Sequence, residues 1–214
     1  TIGGIPTDAI GQVVKGGWDS TVKGLFAAGD AACSGLHGAS LNSGDHLLGA
    51  IASGELAGNA AANQAASSKF SGSSQISIAL TEAHHLHDSM LSSAGAEGVS
   101  AGTIQSTLAT TMQTHMGTSR NAGGLTQAAA SISQLQETTI SLSDSSPVMN
   151  TELVTLLRTQ SLLSVASAAV SAATAREESR GNHVRSDFPT TDTEPPSHSL
   201  TSMDGTVTSL PLRS

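Results

Sequence analysis

Residues 35–49 read GLHGASLNSGDHLLG and contain side chains and backbone groups that could face a ligand. His37 and His46 can donate hydrogen bonds, and the glycines allow the backbone to approach a ligand closely. A helix is predicted to begin near His46, and its first N–H groups would point toward an electron-rich ligand atom. The alternative is a glycine turn that only caps this helix.

A second motif, Gly29-Asp30, follows the apolar segment VKGLFAA. A carboxylate at the C-terminal end of a strand can accept hydrogen bonds from the ribose or ribityl hydroxyls of a nucleotide. Such a short pattern is also typical of a turn with a solvated aspartate, so both interpretations stay open.

The segment EAHHLHD, residues 82–88, combines three ligand types found at metal sites. On a helix, Glu82, His85 and Asp88 would lie three positions apart and roughly on one face. Spacing alone, without groups that enclose and orient the ligands, rarely makes a metal site. A solvated helix surface is therefore favoured, and no metal ligand is predicted.

The segment SRGNHVRSDFP, residues 179–189 and here named the strap, follows the longest predicted helix. Its cations would be favourable beside the negative end of the helix dipole, which predicts a solvated helix end. The alternative is an ordered strap of ion pairs that docks the helices onto another domain. Arg120, Arg180 and Arg185 would then pair with carboxylates of this chain or of a partner.

The composition limits the function. Ala, Ser, Gly and Thr dominate the 214 residues, aromatic residues make up 2%, and the formal net charge is −8. Small side chains bury little apolar area, so the chain is expected to complete its core against a partner. Nine basic residues spread along the sequence exclude the basic stripe that nucleic-acid binding needs. No apolar run is long enough to predict a membrane span, and the single cysteine, Cys33, cannot form an internal disulfide.

The candidate residues must be positioned by a few elements. Alternating apolar residues, Gly, Pro and Asp predict strands and tight turns over residues 1–30, and small residues predict a helix over 46–66. Apolar residues at helical spacing predict helices over 104–116, 125–142 and 150–179, the last capped by Asn150 or Thr151. The domain organisation follows: a ligand-facing part at 1–66, a linker with a short helix at 67–103, a helical bundle at 104–180 and a wrapping tail at 181–214.

Several segments, taken in chain order, resemble one family. TIGGIPTDAIGQVV, VKGLFAAGDAACSGLHGAS and the helix after HLLG resemble the second half of the flavin domain of succinate dehydrogenase and fumarate reductase flavoproteins. MQTHMGTSRNAGGL and SDSSPVMNTELVTLLRTQSLL are similar to that family's helical domain, with Arg120 at its motif arginine. AREESRGNHVRSDFPTTD and the final His-Ser-Leu with a hairpin resemble its C-terminal segment, and favour succinate dehydrogenase over L-aspartate oxidase.

The resemblance implies a fold and a cofactor. The fold class would be α/β + α: a remnant of the flavin-binding domain with one ligand-facing helix, then an antiparallel three-helix bundle and an extended C-terminal tail. FAD would be shared with or held by another chain. Asp30, beside Gly29, stands at the family's ribityl-binding glutamate and His46 at its flavin-facing serine. The backbone N–H groups of Leu47 and Leu48 would face the pyrimidine edge of the flavin.

The resemblance also implies an assembly. Succinate would be oxidised to fumarate, and electrons would pass to an iron–sulfur subunit and quinone in respiratory complex II. The chain would meet membrane-anchor subunits only indirectly. Its expected location is the matrix side of the mitochondrial inner membrane, or the cytoplasmic face in a bacterium.

Departures from the family pattern limit the expected chemistry. The family's carboxylate-binding arginine corresponds to Leu41, and no arginine precedes Arg120. Asparagine has become Asp45, which would place negative charge near a dianionic substrate. The dinucleotide fingerprint and the other catalytic groups would lie before Thr1, so no catalytic residue is predicted in this chain. Two hypotheses follow: a part of a split flavoprotein, completed by a fragment with the N-terminal FAD-binding half, or a degenerate structural subunit of complex II.

Overall fold

Short strands and a hairpin open the chain. The computed structural model describes residues 3–40, 42, 44–69, 71–92, 94–95 and 97–212. The strands are β1 (Ile5–Pro6), β2 (Gln12–Val14), β3 (Thr21–Phe26) and β4 (Ala32–Cys33), with a 3-10 turn at Gly29–Ala31 before the last of them. β2 and β3 pair antiparallel, whereas β1 pairs in parallel with β4. The strands and turns predicted for this segment are therefore present.

Helix α1 (Asp45–Ser67) packs against the hairpin through its small residues. Ala57 is the residue that α1 buries most deeply among those described, and it faces Gly11 between β1 and β2. Gly11 has a left-handed backbone with φ +79°, and a Cβ there would lie 2.5 Å from the Ala57 Cβ. The pair of small residues thus sets the close approach of hairpin and helix.

Helix α2 (Ser73–Ser92) replaces most of the predicted linker. It is 20 residues long, whereas the composition of residues 67–103 predicts a linker with a short helix. Neither Gly nor Pro interrupts residues 73–92, which explains why the helix extends so far. None of its described residues is buried, and only its end, at Met90 and Leu91, packs against a small apolar cluster.

Side-chain caps define the starts of the next helices, α3 (Ala101–His115), α4 (Ala122–Glu137) and α5 (Thr151–Ala175). Before α3 lies β5 (Val99–Ser100), and between α4 and α5 lies β6 (Ile140–Ser141), which pairs with β5 in parallel. Oxygen atoms of the side chains before each helix accept a backbone N–H from its first turn; these residues are Ser100, Asn121 and Asn150. The predicted cap at Asn150 is confirmed.

The main apolar core lies among α3, α4 and α5, which contact one another pairwise. Ile104, Leu125, Ile132 and Val170 are at most 1% exposed. Among the described residues, only α5 is long and apolar enough to cross a membrane, a property that core helices share, and its buried residues pack in this cluster. The antiparallel arrangement of the helices remains a prediction.

The tail ends in a hairpin of β7 (Ser197–Thr201) and β8 (Val207–Pro211), which pair antiparallel and contact α5. The Thr201 hydroxyl donates to the carbonyl of Ala168 in α5 at 3.4 Å. The hairpin that the resemblance implies is therefore present and lies over the long helix.

Candidate functional site

The turn at Gly29 is fixed against α1. Gly29 has a left-handed backbone with φ +59°, and its N–H donates to the Ser53 hydroxyl at 3.0 Å. That hydroxyl in turn donates to the carbonyl of Ala50 at 3.3 Å. The hydrogen bonds hold Asp30 beside the first turn of α1, so the two short motifs of the sequence form one site.

Asp30 and His46 contact each other at this site. The Asp30 carboxylate and the His46 Nε2 form an ion pair when the imidazole is protonated, and their side chains are 75% and 50% exposed. The resemblance implies that the two residues meet different parts of a flavin. In the structure each is the other's partner, and both remain open to solvent.

Within the described ranges, the N-terminus of α1 has no side-chain cap. Gly44, with φ +98°, is the residue before the helix, and no cap hydrogen bond from a described side chain is made there. Leu47 and Leu48, in that first turn, are each 68% exposed. The site therefore presents backbone donors, an apolar surface and a carboxylate. The only acidic residue within the first turn is Asp45, which contributes negative charge.

His37 lies over the first turns of α1 and not at the Asp30–His46 pair. A Cβ at Gly49 would lie 2.9 Å from the His37 Nε2, so the imidazole packs against the helix backbone. Leu41, the position of the missing arginine, lies outside the described residues. A groove of about 700 Å³ between the hairpin and α1, lined by Lys23, Asn59 and Asn63 among others, includes none of the predicted cofactor-binding residues.

The described residues contain no group of three or more His, Cys, Asp or Glu side chains that could hold a metal ion. In the segment EAHHLHD, His87 Nδ1 lies 3.2 Å from an oxygen of its neighbour Asp88 on the exposed surface of α2. The solvated helix surface that the sequence favours agrees with this geometry.

The strap is held by ion pairs. Glu178, just before it, binds Arg176 at 2.7 Å and Arg180 at 3.0 Å, and accepts the N–H of Asp192. Burial raises the pKa of Glu178, but the hydrogen bonds from Arg180, Asp192 and Arg176 outweigh it and lower the pKa to about 2. At Arg180 the structure therefore has the ion pair of the alternative interpretation, in place of a fully solvated helix end.

Arg185, the second candidate of that alternative, also forms an ion pair. Its Nε and Nη2 each donate to one oxygen of Asp187, both at 2.8 Å, and its Nη1 donates to carbonyls at the end of α5. The hydrogen bonds from Arg185 hold the pKa of Asp187 well below its usual range. Arg120, the third candidate, has no carboxylate partner among the described residues.

The strap joins the helical region to the loop before α1. The Asn182 N–H donates to the carbonyl of Ala39 at 2.8 Å, and the Arg120 N–H donates to the carbonyl of Val184 at 3.0 Å. Gly181, with φ +56°, has no room for a side chain beside Ala39. Sequence reasoning did not identify these contacts, because backbone hydrogen bonds between distant segments leave no residue pattern.

A second contact joins the tail to β4. His198 in β7 places Nδ1 4.0 Å from the Cys33 sulfur and packs edge-on against the Trp18 ring. Burial raises the pKa of the Cys33 thiol and lowers the pKa of the His198 imidazole. Burial thus favours the neutral form of both groups, and a raised thiol pKa is the opposite of the shift that activates a cysteine.

Family models match the N-terminal and the C-terminal region of the chain. A family model described as "Fumarate reductase flavoprotein C-term" matches residues 105–211, which is half of the chain. The chain belongs to the succinate dehydrogenase and fumarate reductase flavoprotein family. A second model, described as an FAD binding domain, matches residues 1–47, the part that contains the Gly29 turn and the start of α1.

Individual relatives agree with this family. A Mycobacterium tuberculosis fumarate reductase flavoprotein subunit is 37% identical over 199 residues, 90% of this chain and 33% of the relative. A Rickettsia bellii succinate dehydrogenase flavoprotein subunit is 35% identical over 211 residues, 95% of this chain and 35% of the relative. Mitochondrial succinate dehydrogenase flavoproteins from Oryza sativa and Xenopus laevis are also related.

Solved structures show the same fold. A variant of Escherichia coli quinol fumarate reductase matches with a TM-score of 0.83 and 27% identity, over 98% of this chain and 35% of the other. The mixed fold of strands and helices is therefore that of the flavoprotein. The chain spans about a third of the length of the curated relatives it matches.

Proposed function

We propose that this chain forms the C-terminal part of a succinate dehydrogenase or fumarate reductase flavoprotein subunit and contributes one wall of its FAD site. The observation that supports this most directly is the first turn of α1, which no described side chain caps, beside the exposed Asp30 carboxylate. These groups lie in the part of the chain that matches an FAD-binding domain model.

The described residues fit such a cofactor. The N–H groups at Leu47 and Leu48 would bind the polar edge of the flavin ring, where the helix dipole favours negative charge. Asp30 would accept hydrogen bonds from ribityl hydroxyls once His46 releases it. FAD, when bound, would supply the acceptor for a hydride from a dicarboxylate.

A companion segment would supply what these residues do not. We use this term for the polypeptide, outside these 214 residues, that carries the dinucleotide cradle and the substrate-binding cations. The site of this chain has Asp30 and Asp45 as its charged carboxylates, and leucine stands at position 41. Because a dianionic substrate must be held by cations, this chain alone would not turn over succinate.

The proposed assembly is respiratory complex II. Electrons would leave the flavin for an iron–sulfur subunit and then quinone, with membrane-anchor subunits contacted only indirectly. The relationship to mitochondrial flavoproteins supports a location at the inner mitochondrial membrane, on its matrix side.

The second candidate function is that of a non-catalytic structural subunit derived from the same flavoprotein. Its support is the site itself, in which leucine and Asp45 replace groups that would favour a dicarboxylate, and Asp30 binds His46. Succinate turnover by the purified assembly, compared with and without this chain, separates the two functions. A structural subunit would accompany an intact flavoprotein whose turnover does not depend on this chain.

The experiment is affinity purification of the protein from its own cells, with flavin measured by absorbance and companion polypeptides identified by mass spectrometry. We expect FAD, a companion segment with a dinucleotide fingerprint and an iron–sulfur subunit. Asp30→Asn should raise the dissociation constant of FAD about tenfold, because a charge-assisted hydrogen bond contributes about 1.5 kcal/mol. Asp19→Asn, on the exposed turn between β2 and β3, is the matched control.

Isolation of a stable, flavin-free monomer without a companion segment would contradict the proposal. If Asp30→Asn and Asp19→Asn raise the dissociation constant of FAD equally, the net charge of the chain, and not the Asp30 carboxylate, affects binding of the cofactor.

A further inference from the structure

Arg120 is a buried cation with an unused face. It is 8% exposed, and its Nη1 donates to His183 Nδ1 at 2.8 Å. Its Nε is fully buried and has no acceptor among the described residues. No described carboxylate pairs with it, and burial lowers its pKa from the usual value.

The partner at Nη1 does not neutralise this charge. His183 accepts from Arg120 at Nδ1, and its Nε2 lies 3.2 Å from the carbonyl of Arg176. The imidazole can serve both contacts only when it is neutral and carries its proton on Nε2. Within the described part of the chain, the guanidinium therefore remains a buried charge without a counter-ion, which is costly unless a counter-ion joins it.

The neighbouring arginines show what the Nε and Nη2 groups of a guanidinium bind in this region. Arg185 uses Nε and Nη2 to hold both oxygens of Asp187, at 2.8 Å each. Arg176 and Arg180 share Glu178. The Nε–Nη2 edge of Arg120 has the same planar pair of donors, which matches a carboxylate in two-point geometry, and no acceptor from the described residues faces its Nε.

The remaining residues of the sequence do not offer a side-chain carboxylate either. The positions outside the described ranges are Thr, Ile, Leu, Ser, Phe, Ala and Arg, with neither aspartate nor glutamate among them. A carboxylate that pairs with Arg120 must therefore come from elsewhere than the acidic side chains of these 214 residues.

We infer that the Nε–Nη2 edge of Arg120 is a carboxylate-binding site, filled by a carboxylate that the side chains of this chain do not supply. The site lies where the strap meets the loop before α1, since the residue before His183 is hydrogen-bonded to Ala39. The carboxylate comes from a small anion in solution or from an aspartate or glutamate of the companion segment. Only the second source rests on the proposed function.

The first arm of the test uses the full chain and a small anion. The Arg120 Nε–H resonance is followed by 1H–15N NMR while sodium malonate is added, with sodium chloride at equal ionic strength as reference. We expect a saturable shift of this resonance and a rise in the melting temperature with malonate only. The rise in melting temperature should be lost in Arg120→Lys, which keeps the positive charge but lacks the Nε and Nη2 donors that bind a carboxylate at two points. It should persist in Arg158→Lys, at an exposed arginine of α5.

The second arm uses the purified assembly. If the carboxylate belongs to the companion segment, Arg120→Lys should weaken binding of that segment at least about 25-fold, since breaking a buried charge pair costs about 2 kcal/mol or more. Arg158→Lys should leave this affinity unchanged. Far-ultraviolet circular dichroism of each variant checks that the helices remain folded.

Absence of a malonate response together with unchanged affinity in the second arm overturns the inference. A malonate-dependent rise in melting temperature that is equally large in Arg120→Lys would place the anion at another site, and this also overturns it. If the wild-type chain binds no companion segment but malonate still binds at Arg120, the proposed function fails and the inference stands.

Discussion

At the scale of single residues, His183 is held neutral by its surroundings. Burial lowers its pKa from 6.5, and the nearby charges of Arg120, Arg176 and Arg185 lower it further, although the hydrogen bond to the carbonyl of Arg176 acts in the opposite direction. Protonation would remove the acceptor at Nδ1 and place a fourth cation in the cluster. This side chain therefore stabilises the folded chain only in its neutral form.

The first prediction is that stability falls as the solution becomes acidic. Because the folded pKa of His183 is lower than the unfolded value, the unfolded chain binds more protons and is favoured as pH falls below about 6.5. Each such histidine contributes a slope of at most about 1.4 kcal/mol per pH unit. Urea unfolding between pH 7.5 and 5 measures it, and His183→Gln should reduce the slope.

The lowered pKa of His198 contributes in the same direction, so His183→Gln should leave part of the slope. A variant with the wild-type slope would show that His183 is not the group that titrates. His85→Gln, on the exposed surface of α2, serves as the control.

Some residue roles follow from the sequence and others do not. The cap at Asn150 was predictable because its hydrogen bond reaches only to Leu153. Arg180 and Arg185 were candidates for ion pairs in one of two interpretations, and the structure pairs each with a carboxylate two positions away, Glu178 and Asp187. The contacts of Asp30 with His46 and of Arg120 with His183 join distant segments, and only the folded chain brings them together.

At the scale of elements, the second prediction concerns the fit of the hairpin to α1. Gly11→Ala would strain a left-handed backbone and bring a Cβ within 2.5 Å of Ala57. Gly16→Ala, at φ +67° in open space, would add only the backbone strain. We expect Gly16→Ala to cost about 1 kcal/mol and Gly11→Ala to cost about 1–3 kcal/mol more. Denaturant unfolding measures both, and equal costs would contradict the close packing of the two elements.

A comparison of predicted and observed helix ends shows which ends are determined by the local sequence. α1 was predicted within one residue at each end, since its composition changes sharply there. α4 was predicted to continue to residue 142 but ends at Glu137, because residues 140–141 pair with β5. α5 ends at Ala175 and not at 179, because Ser179 already donates its N–H to the carbonyl of Thr190. In both cases a distant partner overrides a helical pattern.

At the scale of the whole molecule, the tail connects the first and last parts of the chain. Trp18 donates its indole N–H to the carbonyl of Pro211 at 2.6 Å and packs against His198. The same histidine lies against Cys33. A Cβ added at Gly35 would lie only 3.2 Å from its Nε2. The folded segments are thus joined by contacts that the chain order alone does not predict.

The third prediction uses this connection. Trp18 is the only tryptophan in the sequence, so its fluorescence reports on the docked tail. In the wild-type chain, the unfolding curves from fluorescence and from far-ultraviolet circular dichroism should coincide. His198→Ala should shift the fluorescence midpoint to lower denaturant while the helical signal changes less. Coincident curves in this variant would show that the tail is held by other contacts.

The hydrogen bond from Asn182 to Ala39, with Gly181 packed beside it, also restricts how the gene can be recombined. Two stretches far apart in the sequence meet through main-chain atoms, with no space for an added methyl group. Chimeras with homologous sequences should therefore keep both stretches from one parent. A crossover between the stretch around Ala39 and the stretch around Asn182 would combine two surfaces that evolved in different proteins. We therefore expect such chimeras to be less stable than those that take both stretches from one parent.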